Sequence, residues 1–130
     1  MTALESVLKE LVPGKLREFK KLTKGEPYRF KGWQADREGR PCLYYTFSSR
    51  DGRSTNTKRV PTAEIATALA HLRKCGHLCA SEFEESCPVA KRDGQCGFAV
   101  VGRILEALGV ARYERAHFCL TDPAKADSLL

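Results

Sequence analysis

The chain contains no apolar run approaching the roughly 20 residues that a membrane-spanning helix needs. It also lacks a glycine-rich phosphate loop and a dinucleotide-binding fingerprint, so nucleotide-dependent chemistry has no local signature here. Internal repeats and low-complexity stretches are missing, which leaves an ordinary globular reading. The opening Met1-Thr2-Ala3-Leu4-Glu5 has neither a basic nor an apolar leader region, so the expected location is cytoplasmic and reducing. In that setting the six cysteines point to free thiols or a metal rather than three disulfides. No matched nucleophile, base and orienting group is evident, so an enzyme is not the expected reading.

What the chain does have is uneven positive charge. Residues 1–60 carry 14 Lys/Arg against 7 Asp/Glu, whereas residues 61–130 carry 8 against 9. A basic first half beside a neutral second half points to an anionic partner for the first. Within it, Tyr28-Arg29-Phe30-Lys31-Gly32-Trp33 interleaves aromatic and basic residues. That pattern suits nucleic acid, because rings stack on bases while cations hold phosphates. It equally describes a half-solvated sheet whose aromatics form the buried face. Lys15–Lys24 is expected to be a helical turn with a basic outer face.

The expected fold is α+β within one domain, residues 1–121. Thr2 and Glu5 form a capping box for a helix from Ala3 to Leu11, ended by Pro13-Gly14. Three segments, 28–33, 41–48 and 55–60, alternate as strands and predict a three-stranded antiparallel meander, with Asp51-Gly52 as a hairpin turn. Tyr28, Phe30, Tyr45 and Phe47 are expected in the core, with Trp33 and Tyr44 pointing the other way. Thr62 is read as the cap of a helix running to Gly76, and Glu64 as support for its N-terminal dipole. Ser81 to Glu84 reads as a second capping box, opening a short helix stopped by Pro88; residues 91–95 read as a loop. Residues 97–108 form the most apolar helix, with only Ala99, Gly102, Arg103 and Glu106 on an open strip, and Gly109 follows as its left-handed stop. A short hairpin at 111–121 and a flexible tail at 122–130 complete the chain.

The order helix, turn, short helix, loop, longer helix, hairpin over residues 61–121 resembles a winged helix-turn-helix domain. It is carried by Glu64-Ile65, Leu69, Leu72, Gly76-His77-Leu78, Glu82-Phe83, the stretch Gly102-Arg103-Ile104-Leu105-Glu106-Ala107-Leu108-Gly109-Val110, and His117-Phe118-Cys119-Leu120-Thr121. The resemblance implies double-stranded DNA as the partner, with the third helix in the major groove. That helix offers few polar side chains for base edges, so limited sequence selectivity is expected. The expected contact set is Lys20, Lys21, Arg29, Lys31, Trp33, Arg50, Arg53, Lys58, Arg59 and Arg103. A protein-interaction or assembly module, docking a partner or a second copy, is the alternative.

Three chemical readings stand beside these. Cys75, His77 and Cys79, with Cys87 and Cys96, form a candidate zinc set. A cysteine nucleophile could draw on Cys75, Cys79 or Cys96 with His71, His77 or His117. A metal-dependent nuclease could draw on Glu82, Glu84 and Glu85 with Asp36, Glu38 or Asp51.

Overall fold

The structure, a computed structural model, describes residues 2–48 and 52–130. Helix α1 (Ala3–Leu11) opens the chain, and the Thr2 side chain accepts from the Glu5 N–H at 3.1 Å. Strands β1 (Glu18–Phe19), β2 (Tyr28–Ala35), β3 (Pro41–Ser48) and β4 (Thr55–Pro61) pair antiparallel in the order β1-β2-β3-β4. The meander therefore has a fourth, short strand. Residues 15–24 supply it, instead of a helical turn: Phe19, fully buried, pairs with Tyr28 and enters the core. The hairpin turn expected at Asp51-Gly52 falls largely outside the described residues; Gly52 itself has φ +70°.

A bulge redirects the aromatics of β2. Phe30 pairs with Tyr45 and Trp33 with Leu43, and the register shifts between Phe30 and Gly32. Tyr45 and Leu43 lie two apart on β3 and share a face, so Phe30 and Trp33 share it too, although three residues separate them. Their rings are 6.0 Å apart. Trp33 thus joins the core side, contrary to the expectation from strict alternation.

The second half contains α2 (Thr62–Cys75), β5 (His77–Cys79), α3 (Ala80–Ser86), α4 (Pro88–Asp93), α5 (Cys96–Ala107), β6 (Ala111–Glu114), β7 (His117–Leu120) and α6 (Pro123–Leu129). Strands β5, β7 and β6 form a separate antiparallel sheet in the order β5-β7-β6. Gly76 ends α2 in the left-handed region, φ +82°, as its sequence position implied. Four local readings shift. Thr62 does not cap α2; its hydroxyl donates to the Pro41 carbonyl at 3.1 Å. Glu64 accepts instead from the N–H groups of Val89 and Ala90, both at 2.9 Å, and so satisfies the first turn of α4. The box that opens α3 is closed by Glu82 on the Cys79 N–H at 2.9 Å, two residues earlier than Ser81. Pro88, read as a stop, starts α4, because its missing N–H is harmless at a first helical position.

Helix α5 lies at the centre. Gly97, Phe98, Ala99, Val100, Val101, Gly102, Ile104 and Leu105 are all buried on it. Its open strip is narrower than the wheel implied, since Ala99 is covered and Gly102 lies against the Phe118 ring, where a Cβ would overlap it. The tail expected at 122–130 is also ordered. Asp122 caps α6 through the Lys125 N–H at 3.0 Å, and Ala126 and Leu129 are buried. No helix among the described residues is long and apolar enough to cross a membrane.

Candidate functional site

Basic residues were the main functional signal, and the structure divides them into two groups. One group is engaged inside the fold. Arg59 contacts Asp36 at 3.0 Å and Asp93 at 3.6 Å, and its backbone N–H also donates to Asp93. Arg40 holds the same Asp36 at 2.8 Å. Desolvation opposes ionisation of Asp36, but the Arg40 and Glu38 hydrogen bonds and the Arg40 charge outweigh it and lower its pKa. Beneath this cluster, burial first and then Asp36 push the Cys42 thiol up to about 11.

Arg103 is engaged too. Its guanidinium donates to the Lys20 and Lys21 carbonyls at 3.0 and 3.3 Å and to Glu106 at 2.7 Å. It also lies 5.6 Å from the centre of the Tyr113 ring. The segment ahead of β2 is thereby fastened across the strip of α5 that was expected to face DNA. Trp33 is fixed as well: its indole N–H donates to the Val12 carbonyl at 2.8 Å, tying β2 to the end of α1.

The other group faces outward. Lys20, Arg29 and Lys31 are exposed, with Arg29 3.6 Å from Glu18 and Lys31 3.4 Å from the Thr57 hydroxyl. Arg53 is exposed, and Arg50 lies outside the described residues. Lys21 and Lys58 meet the aromatic end of the sheet. Lys21 Nζ lies 5.4 Å from the Tyr28 ring centre, Tyr28 is edge-on to Phe47 at 6.1 Å, and Lys58 Nζ lies 4.9 Å from Phe47. Lys21 and Phe47 line an open hollow of about 460 Å³ with Gly25, Glu26, Pro27, Ser48 and Gly52. Sequence reasoning assigned Tyr28 and Phe47 to the core, yet both are only partly covered here.

The cysteines do not converge as the zinc set required. Cys87 is buried, its thiol 3.3 Å from the Glu64 carbonyl, and burial raises its pKa strongly. Cys96 Sγ lies 3.2 Å from the Tyr45 hydroxyl. Cys79 Sγ turns to the Ser81 hydroxyl at 3.2 Å. All six cysteines are free thiols.

A different group does assemble. Glu82 Oε2 lies 2.6 Å from His71 Nε2, and its Oε1 lies 2.9 Å from His77 Nδ1. Cys75 Sγ is 4.0 Å from His71 Nδ1. Burial opposes ionisation of Glu82, but hydrogen bonds from the Cys79 thiol and N–H and from both imidazoles prevail and hold its pKa at about 2. Adjacent to it, His77 and His117 flank a shallow hollow of about 510 Å³, with rings 6.3 Å apart. His71 and Cys75 were among the three histidines and three cysteines considered from sequence for a nucleophile, without being singled out as a pair; Glu82 is the partner that linear spacing did not identify.

The fold defines an α+β protein built on two antiparallel sheets around α5. No protein-family model matches the chain, and no curated protein or solved structure matches it either.

Proposed function

We propose that the protein binds nucleic acid through the basic, aromatic end of its four-stranded sheet, with little sequence selectivity. The observation that carries this reading is the row Lys21, Tyr28, Phe47 and Lys58, of which Lys21 and Phe47 line an open hollow. Lys20 and Lys24 are exposed in the same segment. Partly exposed rings flanked by ammonium groups provide stacking surface and phosphate contacts together. Glu26 lines the same hollow, so the cations and not the whole lining supply the attraction.

Residues 62–120 support a winged-helix-like reading through the order α2-β5-α3-α4-α5-β6-β7 and the sheet order β5-β7-β6. In this reading the unit serves as a scaffold. The expected unit has three helices, but α4 is an additional one and makes α5 the fourth; α5 is buried on most sides, and Arg103 is held by two carbonyls and Glu106. Duplex DNA is therefore gripped by its phosphates and not read in the major groove, which accounts for weak selectivity.

The test is fluorescence anisotropy of a labelled mixed-sequence duplex against the wild type and a Lys20/Lys21/Lys24→Ala variant. Each full phosphate contact adds about 0.9 to the slope of log affinity against log salt, so losing three lowers affinity by up to ~500-fold at ~0.1 M salt. The loss should be equal across sequences. An unchanged affinity in the folded variant overturns the assignment.

A further inference from the structure

We propose that His71, Cys75 and Glu82 form a binding site for a zinc-like divalent transition metal where α2 meets α3. One ligand atom from each of the three lies within 4.8 Å of the other two. The site is independent of the nucleic-acid reading and shares no residue with it.

Local chain geometry brings the three together. His71 and Cys75 are four apart on the last turn of α2, so they project from one side of it. Gly76, with φ +82°, turns the chain directly into β5. Glu82, in the first turn of α3, returns its carboxylate to His71. Zinc holds nitrogen, oxygen and sulfur donors at ~2.0–2.3 Å, so tetrahedral ligands sit roughly 3.3–3.6 Å from one another. Glu82 lies 2.6 Å from His71 Nε2 and Cys75 lies 4.0 Å from His71 Nδ1, on opposite nitrogens of the ring, so a metal takes one nitrogen and draws the three donor atoms together from their present separations of up to 4.8 Å.

The donor chemistry matches as well. A thiolate and a carboxylate together neutralise a dication, and an imidazole adds a neutral borderline ligand. His77 acts from outside: its Nδ1 holds the second carboxylate oxygen at 2.9 Å, the usual place for an outer partner that orients a ligand. Cys75 is exposed, so its thiol is open to an ion arriving from solvent.

The same three residues could be arranged as a nucleophile, base and orienting acid. The location argues for metal. The negative end of the α2 dipole favours a cation there and disfavours a bare thiolate.

The experiment titrates reduced, chelator-stripped full-length protein with cobalt(II) and follows the thiolate-to-cobalt charge-transfer band, then displaces cobalt with zinc. One equivalent should bind with that band present. Cys75→Ser should abolish the band, and Glu82→Gln should weaken binding by more than the ~10–100-fold typical of an outer partner. His77→Ala should stay within that range and keep the band. Cys96→Ser, whose thiol faces Tyr45, should bind as the wild type does. Circular dichroism confirms that each variant is folded; Cys75 is exposed, so its serine variant has no core to disturb. No thiolate band in the wild type, or a band that survives Cys75→Ser, overturns the proposal. Rapid alkylation of Cys75 that depends on His71, in protein that binds no metal, overturns it in favour of a nucleophilic thiol.

Discussion

Replacing Trp33 with phenylalanine separates an internal tie from a ligand contact. The indole N–H donates to the Val12 carbonyl at 2.8 Å, and Val12 is fully buried. Phenylalanine keeps most of the ring against Phe30, which lies 6.0 Å away, but removes the donor. A buried carbonyl left without its partner costs about 1–3 kcal/mol. For a chain of this size that lowers the Tm by roughly 4–12 °C. Thermal and urea unfolding followed by circular dichroism would measure it, with binding to a labelled duplex measured on the same preparation. A destabilised protein with undiminished affinity, at a temperature where both proteins are folded, is the expected outcome. Wild-type stability combined with weakened binding would refute it, and would place the Trp33 ring on the ligand.

Two other outcomes follow from close contacts. Gly102→Ala gains about 1 kcal/mol of helix propensity but forces a methyl into the buried Phe118 ring, at a cost of about 1–3 kcal/mol. A lower Tm is expected, and a raised one would show that α5 is not packed on β7. Glu82 is held at about 2, below its unfolded value of ~4.3, so its contribution is complete above the unfolded value and lost as pH falls from about 4.5 to about 2. Screening at this partly covered site limits that contribution to roughly 1–2 kcal/mol. Urea midpoints measured through that window should fall for the wild type and fall less for Glu82→Gln; parallel curves would contradict the ion-pair geometry.

Local signals with a single mechanism were legible in the sequence. The Thr2 cap on the Glu5 N–H, the left-handed stop at Gly76 and the apolar stripe of α5 each depend on neighbours within a few residues, and each appears as expected. The three long strands were legible from alternation. The misplacements arise where distant segments decide. Trp33 was sent to the wrong face because the bulge after Phe30 adds one residue, and alternation cannot register that. Arg103 looked like an exposed cation because the carbonyls that bind it come from residues 20 and 21, more than eighty positions away. Glu64 and Glu82 were both recognised as residues of helix beginnings. The partners they hold, Val89 and Ala90 for one and His71 for the other, belong to other elements. The tail was read as loose because its polar composition hid Ala126 and Leu129, the two residues that seat α6.

The salt dependence of nucleic-acid binding reports on the basic end of the sheet itself. Anisotropy of one mixed-sequence duplex, measured across a salt series with single-strand and RNA competitors, counts the phosphates engaged. Lys20, Lys21, Lys24, Lys31 and Lys58 set an upper bound, so a slope between about −2 and −4.5 is expected, nearly independent of sequence. Effective competition by single strands would place the bases on Tyr28 and Phe47. Absence of binding even at low salt would overturn the nucleic-acid assignment and leave the positive first half as a determinant of solubility, with a protein as the partner to test.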